Sequence, residues 1–243
     1  MHDLIVIGAG PGGYEAAAHA GELGKSVLLV EAGSLGGACL NVGCIPAKVF
    51  LRSSRLYREC SEAGPFGVHA AGVTFDAPVV VERKDRIVAA LRRGVGAKLK
   101  AAGVEVVTGR ARLAGRHLAQ IDGERLEAEN ILIATGSRPA VPPIPGIGAE
   151  HVLDSDRVFD LAEVPSSIAI IGGGYIGLEL ATYFREVGAE VAVFEMLPQI
   201  AATADGDVSA RLLHALERSG IEFHLTCRVL KVEEGVLRYD DGS

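Results

Sequence analysis

Cys39 and Cys44 are the residues whose type and spacing point most directly to chemistry. They lie in the sequence ACLNVGCIPAK, residues 38–48, with four residues between them. At an irregular helix start this spacing can bring two sulfurs within disulfide reach, and a helix N-terminus with a nearby cation lowers the pKa of a thiol. We therefore predict a pair that exchanges disulfides. Two alternatives stay open: a metal site, which lacks further Cys or His ligands nearby, and a pair of inert buried thiols.

A glycine fingerprint followed by a glutamate occurs twice, at a constant offset of 164 residues. The first copy is Gly8, Gly10, Gly13 and Glu31, and the second is Gly172, Gly174, Gly177 and Glu195. The first glycine permits a tight turn, the second lets the backbone approach a pyrophosphate, and the third lets a helix pack closely on a strand. The helix N-terminus attracts the phosphates, and the glutamate accepts hydrogen bonds from a ribose. Two dinucleotide sites in one chain predict electron transfer between two cofactors.

The second fingerprint also carries a preference between nicotinamide cofactors. The carboxylate of Glu195 repels a 2′-phosphate, which predicts NAD in preference to NADP. Met196 and Leu197 follow it, where a phosphate-reading site would need Arg or Lys. The prediction of a dinucleotide site depends on the strand and helix that flank the glycines, because a glycine-rich turn by itself also occurs where only close packing requires it.

Each fingerprint needs a strand before its glycines and a helix after them, and the sequence supplies both. Residues 4–31 and 168–195 each contain an apolar strand, the glycine turn, an amphipathic helix and a second apolar strand. This is the front of a βαβ unit whose strands are apolar enough for a parallel sheet buried on both faces. The predicted fold class is α/β, with two Rossmann-like domains of the three-layer ββα type that binds FAD or NAD(P), small antiparallel β-meanders and an incomplete second domain.

The remaining segments predict the elements that complete these domains. Helical spacing covers 38–58, interrupted by Gly43 and Pro46, as well as 79–102 and 208–219; strands are predicted at 104–108, 131–134 (buried) and 221–225, and meanders at 110–128 and 227–239. Four prolines between Arg138 and Ile147 stiffen the chain and stop regular structure. We predict an FAD-binding domain with the redox helix at 1–140, a Pro-rich linker at 141–165 and an incomplete NAD-binding domain at 166–243.

Composition and charge disfavour several classes of protein. The chain has 243 residues, 49% of them hydrophobic, and a net charge of −7 from 24 Lys+Arg and 31 Asp+Glu. This content predicts a packed globular protein, and an acidic chain without a basic run disfavours nucleic acid as a partner. With no apolar run of about 18 residues and no room for a signal peptide, we expect no membrane contact and a cytoplasmic location. In that reducing compartment Cys60 and Cys227 are expected to be inert.

Four segments together resemble the flavoprotein pyridine-nucleotide disulfide oxidoreductases. They are GAGPGG with Glu31, CLNVGCIPAK at 39–48, ATGSRP at 134–139 and GGGYIGLE at 172–179. Within this family the cysteine segment is most similar to CLNxGCIPSK of the dihydrolipoamide dehydrogenases, because the glutathione and mercuric reductase branches carry Val where this chain has Leu40 and Ile45. Ala38 and Ala47 replace the common Thr and Ser. The resemblance covers the whole chain, as the N-terminal half of the family's usual length.

The resemblance implies a role for each site residue. Cys39 would exchange with the substrate, Cys44 would stack on the flavin, and Lys48 would approach the flavin and pair with Glu179. FAD would contact its fingerprint and, in addition, Ala32, Gly37, Ala38, Lys48, Ala111, Thr135 and Gly136. NAD would contact the second fingerprint together with Tyr175 and Ile176. Without the motif, Lys48 would be taken for a solvated helix lysine, Glu179 for a residue that favours the helix dipole, and Tyr14 and Tyr175 for packing residues.

The implied reaction is the oxidation of dihydrolipoamide to lipoamide through a Cys39–Cys44 disulfide and FAD, with hydride passed to NAD⁺. The implied partners are dihydrolipoamide on a lipoyl domain, the acyltransferase of a 2-oxo acid dehydrogenase complex, and a second copy of the chain in a homodimer. No metal is implied, and the implied process is cell redox homeostasis. The alternative within the family is a mercuric or glutathione-type reductase.

One part of the family's mechanism is not expected in this sequence. The family takes its general base, a His with a Glu five residues later, from a C-terminal dimerisation domain. His117 and His151 have Asp122 and Asp156 at that spacing, but they lack the family's flanking residues and are interpreted as coincidences. We therefore expect the N-terminal half of a longer enzyme, truncated at Ser243, without full activity of its own. The alternative is a free-standing FAD- and NAD-binding module without turnover.

Overall fold

The computed structural model describes residues 1–242, and the chain divides into two compact units. The first unit comprises Met1–Pro46 and Lys84–Arg138, and the second comprises Ala47–Arg83 and the residues from Pro139 onward. The second unit thus includes Ala47–Arg83, a segment that separates the two parts of the first unit in the sequence. The domain limits expected from chain order stay a prediction, and Ser243, the expected truncation point, lies outside the described residues.

The first unit is built on a six-stranded sheet. Its strands are β1 (His2–Ile7), β2 (Val27–Glu31), β3 (Glu105–Thr108), β4 (Ala111–Gly115), β5 (Leu118–Ile121) and β6 (Glu124–Ile133), in the spatial order β3-β2-β1-β6-β5-β4. β1 pairs in parallel with β2 and β6, and β2 with β3, whereas β4, β5 and β6 form an antiparallel meander. Neighbouring residues of β1 belong to different core clusters, with Val6 in the cluster on one face of the sheet and Ile5 in the cluster on the other face. The segment Leu4–Ile7 of this strand is apolar because both of its faces are covered.

Strand β6 differs from two expectations. The last meander strand and the strand expected at 131–134 are one continuous strand, whose first half pairs with β5 and whose second half pairs with β1. The second half is not buried, since Leu132 is 36% and Ile133 is 60% exposed. The reason is that pairing with β5 begins only at Leu118↔Glu127, so that from Ala128 onward β6 is an edge strand of the described sheet.

The helices of the first unit cover the apolar face formed by β1 and β2. They are α1 (Pro11–Glu22), α2 (Gly37–Asn41), the start of α3 (Cys44–Ser61) and most of α4 (Ala77–Ala101). The expected interruption at Gly43 is present, between α2 and α3. Pro46 does not interrupt a helix; it lies in the first turn of α3, where its missing N–H would have no intrahelical partner.

The second unit contains a three-stranded parallel sheet and a hairpin. Its strands are β7 (Ser167–Ile171), β8 (Glu190–Phe194) and β9 (Glu222–His224) in the order β7-β8-β9, with β10 (Arg228–Glu233) and β11 (Val236–Asp240) paired separately; its helices are α5 (Tyr175–Glu186) and α6 (Gly206–Arg218). Phe50 of α3 is buried here, with its ring centroid 5.2 Å from Phe159 and 5.1 Å from Tyr183. Phe159 lies in the segment expected to be a linker, so part of that segment belongs to the core.

The predicted fold class is confirmed: the chain is α/β, with sheets that are rich in parallel pairs and Rossmann-like. Each glycine turn joins the first strand of a parallel sheet to its first helix. Among the helices of residues 1–242, none combines the length and the apolar character that crossing a membrane requires.

Candidate redox and dinucleotide-binding site

The first glycine fingerprint forms the turn between β1 and α1. Gly8 has φ +102°, a conformation that side chains disfavour, and Gly10 is the N-cap of α1. A Cβ on Gly13 would strike the carbonyl oxygen of Gly8, and a Cβ on Gly8 would strike the carbonyl oxygen of Ala134. The turn therefore lies directly against the backbone that precedes Thr135.

The backbone in front of α1 is bare. A Cβ on Gly10 would meet only the Cα of Gly37, at 3.9 Å, and a Cβ on Gly12 would meet nothing within 4 Å. The first N–H groups of an α-helix have no intrahelical partners and attract anions. This space fits the pyrophosphate of a dinucleotide, and Gly37, a predicted FAD contact, borders it at the start of α2.

The second fingerprint repeats this geometry between β7 and α5. Gly172 has φ +109°, Gly174 is the N-cap of α5, and a Cβ on Gly177 would strike the carbonyl oxygen of Gly172. A Cβ on Gly172 or Gly174 would meet nothing within 4 Å, so this backbone is also open. Tyr175 and Ile176, the predicted NAD contacts, begin α5 and are 74% and 45% exposed.

The two predicted ribose-binding glutamates make equivalent hydrogen bonds in their own units. Glu31 Oε2 accepts the Ala9 N–H at 2.6 Å, and Oε1 accepts the Gly33 N–H at 2.7 Å. Glu195 makes the same pair of bonds, at 2.7 and 2.8 Å, with the residues at offset 164. Each carboxylate thus ties its glycine turn to the loop after the second strand. Because a carboxylate oxygen accepts more than one hydrogen bond, a ribose can still bind.

The two predicted redox cysteines lie on either side of a sharp turn. Cys39 is half-buried in α2, Cys44 is exposed at the first position of α3, and both are present as thiols. A Cβ on Gly43 would lie 3.1 Å from the Ala38 carbonyl oxygen and 3.4 Å from the Cα of Cys39. The turn therefore folds back on α2 and needs a small residue. The helix is thus interrupted at Gly43 as expected, and the disulfide between the cysteines stays a prediction.

Asn41 holds this turn and was not among the predicted site residues. Its side-chain amide donates to the carbonyl oxygens of Leu35, at 3.0 Å, and Gly37, at 2.8 Å. Its Oδ1 accepts Nε and Nη2 of Arg92, at 3.0 and 2.6 Å. The amide thus uses both donors and both acceptor sites. Its position between the two cysteines was the available sequence signal, whereas Arg92, on α4, has none.

Lys48 and Glu179, both in the second unit, form the ion pair that the resemblance implied. Lys48 Nζ lies 2.5 Å from Glu179 Oε1, and the two side chains are 60% and 35% exposed. Lys48 is one helical turn after Cys44 on α3, and Glu179 is in the second turn of α5. The catalytic role of the pair stays a prediction.

The remaining predicted contacts lie at strand ends. Ala111 is the first residue of β4, Ala32 follows β2, and Thr135 and Gly136 follow β6, with the last three exposed. In the part of the chain that the structure describes, no three His, Cys, Asp or Glu side chains are placed to share a metal ion.

His117 and Asp122, which have the family's base spacing, bind other groups in the structure. His117 Nδ1 lies 2.8 Å from the Glu129 carbonyl oxygen, while Asp122 Oδ1 accepts the Arg110 N–H at 3.2 Å. The second candidate, His151, is exposed and follows β6 and precedes β7 in the chain.

A thiol pair at a helix start beside a dinucleotide turn, with a second such turn later in the chain, defines a nucleotide-dependent disulfide oxidoreductase. Residues 2–239 match the pyridine nucleotide-disulphide oxidoreductase family, and the chain belongs to that family. Membership in this family of oxidoreductases implies FAD as a cofactor, and the resemblance expected from the motifs is confirmed at this level.

The chain is similar to curated proteins named dihydrolipoyl dehydrogenase. It is 40% identical to that of Acholeplasma laidlawii, covering 100% of this chain and 74% of the relative. It is 43% identical to dihydrolipoyl dehydrogenase 3 of Pseudomonas aeruginosa, covering 96% and 52%, and 42% identical to that of Halobacterium salinarum, covering 91% and 48%. The chain thus spans about half the length of the last two relatives.

Solved structures of a flavoprotein disulfide reductase share the fold. The HOCl-induced flavoprotein disulfide reductase RclA from Escherichia coli has a TM-score of 0.82 and 27% identity, covering 98% of this chain and 55% of that one. A Cu(II) complex of the same protein has a TM-score of 0.81, at 27% identity, covering 98% and 54%.

Proposed function

We propose that this chain is the dithiol- and dinucleotide-binding part of a dihydrolipoamide dehydrogenase, which oxidises dihydrolipoamide and reduces NAD⁺. One observation supports this most. Gly37 begins α2, the helix that carries Cys39, and its backbone lies against that of Gly10 in front of α1. A dinucleotide bound at Gly10 therefore lies beside the thiol pair.

The thiol chemistry belongs to this chain. In the oxidised state a disulfide joins Cys39 and Cys44, a substrate thiolate attacks Sγ of Cys39, and Cys44 leaves as a thiolate. The second substrate thiol gives its proton to a base, attacks the mixed disulfide, releases Cys39 and closes the lipoamide ring. The substrate loses two electrons and two protons. The electrons reduce the disulfide of the protein, one proton goes to Cys39 and the other stays on the base, so that Cys44 remains a thiolate.

The other residues bind and orient the cofactors. When bound, FAD supplies the two-electron acceptor between the dithiol and NAD⁺. The open N-terminus of α1 receives its pyrophosphate, and Glu31 accepts its ribose hydroxyls. Lys48 places a positive charge one turn after Cys44, and Glu179 limits its position. Ala32, Ala38, Ala111, Thr135 and Gly136 complete the proposed contacts of the same cofactor.

The second fingerprint is the proposed NAD⁺ site. Glu195 accepts the ribose hydroxyls and repels a 2′-phosphate, and the exposed side chains of Tyr175 and Ile176 border the dinucleotide. The relatives share the name of an enzyme class, and the residues Leu40 and Ile45 favour that branch over a glutathione or mercuric reductase.

The complete protein is proposed to act as a homodimer in the cytoplasm, on lipoyl domains of a 2-oxo acid dehydrogenase complex and its acyltransferase. The general base is proposed to come from sequence outside this chain, because Asp122, the carboxylate at the family's spacing from His117, is bound to another group. A reducing cytoplasm is compatible with a Cys39–Cys44 pair that returns to the dithiol state in each turnover.

Anaerobic addition of dihydrolipoamide to the FAD-loaded chain tests the proposal. We expect a long-wavelength absorption band from a thiolate beside the flavin. Cys44→Ser should abolish the band with FAD still bound, and Cys60→Ser, on the same helix, is the matched control and should retain it. A band that survives Cys44→Ser contradicts the assignment. A preference for NADPH with glutathione disulfide, Hg(II) or Cu(II) contradicts the substrate.

A further inference from the structure

Helices α3 and α5 pack together in the second unit along an apolar stripe. Phe50 of α3 is buried with its ring centroid 5.1 Å from that of Tyr183, in an edge-on arrangement. Lys48 lies two residues before Phe50, and its partner Glu179 lies four residues before Tyr183. The ion pair therefore marks one end of the stripe, and the stripe continues toward the C-terminal ends of both helices.

A second polar contact marks the other end of the stripe. The carboxylate of Glu186, the last residue of α5, accepts hydrogen bonds from Ser54 Oγ at 2.5 Å and from Arg58 Nε at 2.9 Å. Ser54 is fully buried, and the Glu186 side chain is only 13% exposed. Burial of a carboxylate costs solvation, which charge-assisted hydrogen bonds offset. Glu186 therefore holds α3 by directional bonds in a place that water scarcely reaches.

We propose that Glu186, through Ser54 and Arg58, is a positioning residue that fixes the register of α3 against α5 and so holds Lys48 on Glu179. The seven residues from Glu179 to Glu186 correspond to about 10 Å along the helix. A slip of one residue moves each side chain by about 1.5 Å and 100°, which breaks either polar contact. Burial of Phe50 in the stripe opposes the full rotation of about 100°. Hydrophobic contact is not directional and tolerates smaller sliding shifts, and these are the shifts that the hydrogen bonds of Glu186 oppose.

The consequence of this register for catalysis rests on the proposed function, in which Lys48 approaches the flavin. The register itself can be tested without any cofactor. The probe is the rate at which the Lys48 amine is acylated by an activated ester in the intact chain, measured by peptide mapping. Lys231, which pairs with Glu233 in the β10–β11 hairpin, serves as the internal reference. Glu179→Gln defines the rate of the unpaired amine.

Glu186→Gln is expected to raise Lys48 acylation by about 2- to 5-fold, close to the effect of Glu179→Gln and within the range for loss of an exposed ion pair. Glu59→Gln is the matched control, because Glu59 accepts Arg55 Nε at 2.8 Å on the solvent side of the same helix. It should leave Lys48 unchanged. Arg58→Lys, which keeps the charge but loses the planar fork, should have a smaller effect than Glu186→Gln.

The proposal fails if Glu186→Gln leaves Lys48 at the wild-type rate, or if Glu59→Gln raises the rate equally. It also fails if Glu179→Gln has no effect, because the ion pair is then absent. If circular dichroism shows that Glu186→Gln does not fold, Ser54→Ala and Arg58→Lys decide: a rise in both supports the proposal, and no rise in either overturns it. Loss of the thiolate–flavin band would contradict the proposed function without affecting this result.

Discussion

The three glycines of each fingerprint are needed for different reasons. Gly8 and Gly172 have positive φ values of 102° and 109°. Gly13 is helical, and its hydrogen faces a carbonyl oxygen so closely that no Cβ fits. Gly10 has neither constraint, with φ −68° and ψ 178°, so neither backbone conformation nor packing within the protein requires a glycine there.

Gly13→Ala should destabilise the first unit by about 1–3 kcal/mol, the usual effect of overpacking, because the new Cβ strikes the Gly8 carbonyl oxygen. Gly12→Ala, one residue earlier in α1, is the control. It has open space, so it should be neutral or stabilise by about 0.5–1 kcal/mol. Urea unfolding followed by circular dichroism measures both. Equal effects would contradict the close packing of α1 on β1.

Glu195→Ala should loosen the turn even without nucleotide, because the Gly173 and Leu197 N–H groups lose a charged acceptor. We expect hydrogen exchange of these two amides to accelerate about 10-fold, for a hydrogen bond worth about 1.4 kcal/mol. Glu190 is exposed at the start of β8, the strand that precedes Glu195, and Glu190→Ala is the control that should leave both amides unchanged. Unchanged exchange in Glu195→Ala would show that the carboxylate does not hold the turn.

The contact between α3 and α5 combines an aromatic cluster with polar ends. Phe50, Tyr183 and Phe184 pack edge to face, with centroid distances of 5.1 Å for the first pair and 4.8 Å for the second. Burial raises the pKa of Tyr183 to about 12, because the charged phenolate would lose its solvation. The packing of these helices therefore depends on a neutral Tyr183.

Alkaline pH should destabilise the second unit through Tyr183. Below about pH 10 the phenol is neutral in both states, and between about pH 10 and 12 only the unfolded chain loses the proton. The free energy of unfolding should fall by up to about 1.4 kcal/mol per pH unit in this range. Tyr183→Phe should reduce this slope, and the remainder is expected from Cys227 and Tyr14, whose pKa values are also raised by burial. Tyr175→Phe, at a residue that is 74% exposed, should retain it. Urea midpoints against pH measure the slope, and an unchanged slope in Tyr183→Phe would contradict the prediction.

The molecule as a whole consists of two units, each with its own glycine turn and open helix N-terminus. In each unit a carboxylate at or directly after the end of the second strand ties the turn to the following loop. The repeat at offset 164 is thus a repeat of hydrogen bonds as well as of residues. The chain is therefore expected to bind two dinucleotides independently.

FAD and NAD⁺ should each raise the melting temperature of the chain, since a ligand at 100 times its Kd stabilises by about 2.7 kcal/mol. Gly10→Val should cancel the effect of FAD alone, and Gly174→Val that of NAD⁺ alone. Both positions have extended backbone that accepts valine, so that the side chain only fills the open space. Each variant is the control for the other in differential scanning fluorimetry. A single variant that cancels both effects would contradict two separate sites.

The parts of the site that were predictable from the sequence depend on local interactions. The glycine turns, the apolar strands and the break at Gly43 each follow from a few neighbouring residues, and the structure contains all of them. Lys48–Glu179 was anticipated only through the resemblance. Asn41–Arg92, at a separation of 51 residues, has no local pattern and was missed.

The sequence by itself determined the two βαβ fronts and the break between the two cysteines, because steric limits on glycine and the two-sided burial of strands act within short segments. Only the tertiary structure decided that residues 47–83 join the second unit, that β6 is one strand with an exposed end, and that Glu186 holds α3. These features depend on contacts between residues far apart in the chain, whose free energy is set by packing and desolvation rather than by local conformation.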